Sequence, residues 1–394
     1  MSKLKGKVAI VGIGEVPTGR HKDTPTIYHA IESARQAIKD SGLSKDDIDY
    51  VMPTAALYSA AFNTEMVTAR VVEELGLWNA RKNCQIFAGG ASSSCGLQMA
   101  ASLIYSGAAK NVLYVHADRL GTGVDLQAGI DLFATAGTSP EWEVPFGQHY
   151  SVVAALSTTR YQYETGTTDE QMAAVCVSNR KWAELNPNAY FRKPLSVEEV
   201  MASKMLSTPL RAKMSNMLFD GGSAFVLTSA ERAKDLKEKP AYVLGEGGLV
   251  THFVYSQEPD ITRFAWAKAA KEAFEEAGIG PEDIDVAEIY DSYPIFQILG
   301  FEELGFCERG QAGEIFARGD TWPGGRIPCT TDGGMLSKGH IGAGGGVSLL
   351  VEAARQLMGK AGERQVPGAR FAVETATGGT YFDSQVTILG NEIP

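Results

Sequence analysis

Several marks of large protein classes are missing from this sequence. It has no basic excess and no basic run: 36 Lys and Arg stand against 47 Asp and Glu, a formal net charge of -11. That balance argues against nucleic acid or an anionic membrane as the main partner, and an anionic substrate would need a local basic patch. No apolar run approaches the roughly 20 residues of a membrane-crossing helix. The amino terminus offers only Val8-Ala9-Ile10-Val11-Gly12, a buried-strand pattern shorter than the apolar core of a secretory signal, so a cytoplasmic protein is expected. Cysteine is scarce. The five thiols, Cys84, Cys95, Cys176, Cys307 and Cys329, are scattered, odd in number and without a Cys-x-x-Cys pair, which indicates neither a disulfide framework nor a zinc site.

What is present is a chain of 394 residues, 44% hydrophobic, long enough for one large domain or two of ordinary size. It carries an internal repeat. Ala34, Ala37, Gly42, Asp47, Ile48 and Asp49 return at one offset as Ala270, Ala273, Gly278, Asp283, Ile284 and Asp285. In each copy the spacing predicts an amphipathic helix, a glycine cap and an Asp-Ile-Asp turn into an apolar strand. Two similar α/β halves follow, 1–245 and 246–394, with mixed sheets covered by helices. Strand-like runs such as Asn111–His116, Ala224–Leu227 and Ala241–Leu244 fit that plan. From about 121 to 211 the alternation is lost and aromatics, Gly, Ser and Thr accumulate, as in a long insertion lying over a site.

The run Gly89-Gly90-Ala91-Ser92-Ser93-Ser94-Cys95-Gly96-Leu97-Gln98 reads as a tight turn opening a helix. Such a turn sets a side chain beside the first free N–H groups of the helix, where a thiol's pKa falls and an oxyanion is stabilised. Gly12-Ile13-Gly14 lacks the third glycine of a dinucleotide-binding turn.

Four stretches in order resemble the thiolase superfamily, most nearly its sterol-carrier-protein type. They are the Ser93 turn; Asn186–Ala189 through Leu195–Val200 to Asp220–Ala224; Glu288-Ile289-Tyr290-Asp291-Ser292-Tyr293 with Glu302–Cys307; and Asp332-Gly333-Gly334 through Gly339-His340-Ile341-Gly342-Ala343-Gly344. The resemblance implies a thiolase fold, the two halves layered αβαβα, with the insertion in the first. It implies His340 as general base. Tyr290 stands where the pattern has histidine and would serve the oxyanion site or the core. Aligned on Gly96-Leu97-Gln98, the nucleophile's position holds Ser93, and Cys95 lies two residues on. Helical residues advance about 100° each, so Ser93 facing the substrate turns Cys95 to the core, unless the serines widen the turn. The last Gly-rich loop, Thr375–Tyr381, lacks the family's cysteine or histidine.

By resemblance, the first reaction expected is thiolase-type acyl transfer to coenzyme A from a 3-oxoacyl-CoA, bulky or aryl-substituted substrates included. The second is retro-aldol cleavage of a 3-hydroxyacyl-CoA without an acyl-enzyme, and the third a non-catalytic acyl-CoA-binding subunit. Coenzyme A is a co-substrate, no covalent cofactor and no metal are expected, and Lys204, Arg211 and Lys213 are candidates for its phosphates. A homodimer with the 83–87 strand near its axis is implied, together with a small zinc-ribbon and OB-fold subunit.

Overall fold

A computed structural model describes residues 4–54, 67–80, 82–123, 125, 127, 137–236, 238–342 and 345–394. The strands are β1 (Val8–Gly19), β2 (Tyr50–Pro53), β3 (Lys82–Asn83), β4 (Asn111–Arg119), β5 (Met205–Ser207), β6 (Leu210–Arg211), β7 (Asp220–Ser229), β8 (Ala241–Val250), β9 (Val286–Glu288), β10 (Phe371–Gly378) and β11 (Asp383–Gly390). Among the described residues nine of them form one mixed sheet in the order β3-β2-β4-β7-β1-β8-β11-β10-β9. Its two sides meet only through Ala9 opposite Tyr242 and Ile10 opposite Ala241. On one side β2 is parallel to β4, which is antiparallel to β7, itself antiparallel to β1. On the other, β9 is parallel to β10, antiparallel to β11, itself antiparallel to β8. The expected boundary at 245/246 falls inside β8.

The repeated residues do the same work twice. The helices Thr26–Ser41 and Trp266–Ala277 both stop at a glycine with left-handed backbone, Gly42 at φ 72 and Gly278 at φ 68. The Asp49 carboxylate accepts from the N–H groups of Lys110 and Asn111, and that of Asp285 from Arg370 and Phe371. Each aspartate thereby fastens its turn to the start of the next strand. Gly14 and Gly247 let these helices touch the sheet, for a Cβ at Gly14 would run into the Ser33 carbonyl and one at Gly247 into that of Ala269. The Gly12-Ile13-Gly14 pattern therefore serves helix packing.

Alternation along the strands divides the core. In β1, Ala9 and Val11 face one hydrophobic cluster with the 26–41 and 266–277 helices, whereas Val8 and Ile10 face a second. In that second cluster, inward residues from both sides of the sheet pack on the helices Ser92–Tyr105 and Gly345–Leu357. Leu97, Ala100, Leu350 and Ala354 are without solvent exposure there. The 26–41 and 266–277 helices thus pack on one face of the sheet and the two central helices on the other.

The 121–211 segment is more regular than its composition predicts. It holds helices Tyr150–Thr165 and Asp169–Glu184, the latter opened by a capping box of Thr168 and Gln171, and the β5–β6 hairpin. Periodicity is hard to read here because both helices bury residues on more than one side, Val175 and Cys176 to Asn179 consecutively in the second. Of this segment 124, 126 and 128–136 lie outside the described residues, as do Ala343 and Gly344 of the His340 stretch.

Candidate active site

The two central helices begin side by side, and both starts are built from small residues. Ser92 holds the first turn, its hydroxyl donating to the Gly89 carbonyl at 2.6 Å and accepting from the Ala88 N–H at 2.9 Å. Ser94 turns to β10 and donates to Glu374 at 3.1 Å. Ser93 is also fully buried, yet its Oγ has no hydrogen-bond partner among the described residues. It faces the start of the second helix, since a Cβ at Gly346 would stand 2.9 Å from it. Helix starts leave N–H groups without intrahelical acceptors, so a buried hydroxyl there has donors close by.

Tyr290 follows β9, and His340 follows a five-residue π-helical turn, Gly334–Lys338. Asp291 ties the two stretches together. Its carboxylate accepts from the N–H groups of Met335 at 2.9 Å and Leu336 at 3.1 Å and from the Asn179 amide at 2.6 Å. The result brings Tyr290 Oη within 3.4 Å of His340 Nε2, both side chains buried. Glycines line the pair: a Cβ at Gly90 would come within 2.7 Å of Tyr290 Oη, and one at Gly345 within 3.2 Å of His340 Nε2.

The protonation of this pair follows from its surroundings. His340 Nδ1 accepts from the Gly342 N–H at 3.2 Å, so the neutral ring carries its hydrogen on Nε2 and offers it to Tyr290. Burial, reinforced by His116, pulls the imidazole down to about 4. Burial first, and then Asp291 and Tyr293, push the Tyr290 phenol well above its ordinary value. Near neutral pH the pair is thus an uncharged set of donors.

Cys95 has another environment. The helix is regular from Ser92, its thiol forms no hydrogen bond to Tyr290 or His340, and it is half-buried. Burial, then Asp383, with Glu374 and Glu246 behind it, pushes the thiol up to about 12. A thiolate there is opposed both by desolvation and by like charge.

Behind His340 lies a frame of buried charge. The Lys338 ammonium, 2% exposed, bonds to Glu15 of β1, to Asp332 at 2.7 Å and to Ser348 of the 345–357 helix. Neither carboxylate was singled out from sequence as part of a site, since their convergence needs contacts more than 300 residues apart along the chain. Lys204, Arg211 and Lys213 gather on the β5–β6 hairpin. Lys204 and Lys213 are exposed, and the half-buried Arg211 donates to the Ser203 carbonyl at 3.4 Å. Three residues on, Asn216 donates from both its N–H and its side-chain amide to the Ser292 carbonyl, which leads this hairpin toward Tyr290.

Residues 247–391 match a family model described as "Thiolase C-terminal domain-like". Over 374 residues the chain is 32% identical to the acetyl-CoA acetyltransferase of Methanothermobacter thermautotrophicus, covering 95% of this chain and 96% of that protein. It is 30% identical over 398 residues to the 17-hydroxy-3-oxo-4-pregnene-20-carboxyl-CoA lyase of Mycobacterium tuberculosis, across 98% of this chain and 100% of the relative. The solved structure of the Ltp2-ChsH2(DUF35) aldolase is similar with a TM-score of 0.85 at 29% identity, over 98% of both chains.

Proposed function

Because this chain belongs to the thiolase superfamily, in its sterol-carrier-protein type, we propose that it makes or breaks a carbon–carbon bond in an acyl-coenzyme A, by retro-aldol cleavage of a 3-hydroxyacyl-CoA. The observation that carries this reading is the neutral Tyr290–His340 pair at 3.4 Å beside an oxygen, Ser93 Oγ, rather than an activated thiol. In net terms the reaction moves one proton from the 3-hydroxyl to the α carbon as the bond between C2 and C3 breaks and the hydroxyl carbon becomes a carbonyl. Tyr290 gives its proton to the α carbon and takes that of the hydroxyl in the same concerted step, so it begins and ends as a phenol. His340 donates from Nε2 to the phenol oxygen and steadies the negative charge that passes through it. The helix starts at Ser93 and Gly345 provide N–H donors for the thioester oxygen as the enolate forms.

Acyl transfer to coenzyme A is the second reading, favoured by the similarity to an acetyl-CoA acetyltransferase. It requires Ser93 or Cys95 as nucleophile and His340 as a base in its other tautomer. The two readings separate in one experiment. Incubation with 3-hydroxyacyl-CoA substrates is expected to release a carbonyl product and a shortened acyl-CoA without free coenzyme A and without an acyl-enzyme in the intact mass spectrum. Thiol consumption from 3-oxoacyl-CoA with a covalent adduct, or activity lost in Cys95→Ala and kept in Ser93→Ala, overturns the aldol reading.

The β5–β6 hairpin bases Lys204, Arg211 and Lys213 are the proposed contacts of the coenzyme A phosphates. A small zinc-ribbon and OB-fold subunit is proposed as partner on the strength of the DUF35-bearing aldolase, and a homodimer through β3, an edge strand among the described residues, near which Phe87 is exposed.

A further inference from the structure

A second histidine lies behind His340. His116 sits in the middle of β4, 1% exposed, directly after the buried apolar run from Val112 to Val115. Its Nε2 is 3.1 Å from the carbonyl oxygen of Ile341. A carbonyl only accepts, so His116 carries its hydrogen on Nε2. The other nitrogen, Nδ1, is buried without a partner among the described residues.

The peptide group between Ile341 and Gly342 is therefore engaged from both ends. Its carbonyl accepts from His116, and its N–H donates to His340 Nδ1 at 3.2 Å. An amide whose oxygen is hydrogen-bonded is polarised and becomes a stronger N–H donor, so the two bonds reinforce one another. The turn has little freedom to escape this arrangement. The N–H of His340 donates to the Met217 carbonyl at 3.0 Å, and the His340 carbonyl accepts from the Phe219 N–H at 2.9 Å.

We propose that His116 is a positioning residue that fixes the Nε2–H tautomer of His340 through the Ile341–Gly342 peptide. The chain runs from His116 Nε2–H to the peptide oxygen, through the amide to His340 Nδ1, and from His340 Nε2–H to Tyr290 Oη. Its consequence for turnover rests on the aldol reading, in which His340 is a donor; the tautomer itself does not depend on any reaction.

The test uses the full chain labelled with 15N-histidine, in which long-range 15N–1H correlation shows which ring nitrogen holds the proton. His340→Gln and His116→Gln assign the two rings by loss of signal. The wild type is expected to show His340 protonated on Nε2. In His116→Leu that ring shifts toward the Nδ1–H form and kcat for the 3-hydroxyacyl-CoA falls at least tenfold with KM unchanged. His116→Gln, whose side-chain amide reaches the same carbonyl, restores the tautomer and most of kcat. A wild-type His340 protonated on Nδ1, or a folded His116→Leu variant with the His340 tautomer unaltered, overturns the proposal. If His116→Leu does not fold, His116→Gln and the shorter His116→Asn carry the comparison, and equal tautomers in those two overturn it. Absence of turnover in the wild type, with the tautomer shifts as expected, overturns the reaction reading alone.

Discussion

At His340 the imidazole is a donor because its Nδ1 is already occupied, and in the proposed reaction Tyr290 is the group it steadies. Removing the phenolic hydroxyl in Tyr290→Phe is therefore expected to lower kcat by about 100-fold or more, the usual size of a lost acid–base group, with KM little changed. Steady-state kinetics on a 3-hydroxyacyl-CoA reads this directly. Cys95→Ala is expected to leave kcat intact, because that thiol, pushed up to about 12, takes no part in the proposed proton path. A large loss on that substitution counts against the assignment. The sequence brought attention to Ser93, Cys95, Tyr290 and His340 but not to how their hydrogen bonds divide. Ser92, Ser93 and Ser94 are interchangeable in a one-dimensional reading; one holds the turn, one bonds Glu374, and only Ser93 lacks a partner among the described residues. His116 was legible only as the last residue of a strand-like run, since its carbonyl partner lies 225 residues away.

Among the elements, the helices 26–41 and 266–277 depend on close approach to β1 and β8. Gly14→Ala and Gly247→Ala each set a Cβ against a backbone carbonyl that cannot rotate away, and each is expected to cost about 1–3 kcal/mol, as overpacking does. Urea denaturation checks this; stability unchanged in both variants would show that these contacts relax. The frame around Lys338 is more sensitive. Lys338→Met leaves Glu15 and Asp332 buried without their common cation, and a broken buried ion pair costs about 3–5 kcal/mol. That variant is expected to unfold at markedly lower denaturant concentration. The helix–glycine–Asp-Ile-Asp repeat was visible in sequence because it uses local bonds, whereas the regular helices of the 121–211 segment were not, because burial on several sides erases their periodicity.

For the whole molecule the buried titratable groups set a pH dependence with opposing parts. Burial raises Glu374 to about 8 and Asp291 to about 7, so both bind protons in the fold that they release when unfolded. Their contribution is complete below the ordinary carboxylate range and is lost as pH rises toward 8. His116 and His340, lowered to about 4, act the other way and withdraw stability as pH falls from 6.5 toward 4. Above 6.5 only the carboxylates act, so Tm is expected to fall between pH 6.5 and 8, and Glu374→Gln is expected to flatten that slope. Calorimetry in which Tm rises over this interval would contradict the assignment. The mixed α/β class, the kinship and the order of the motifs were determined by the sequence itself, because helix caps, strand runs and turns are written by neighbouring residues. Which serine faces the site, which nitrogen of His340 is free to donate, and the charge state of Cys95 were decided by the tertiary structure alone. Each depends on burial and on partners brought together from distant parts of the chain, and those energies do not exist until the two central helices and the sheet close around them.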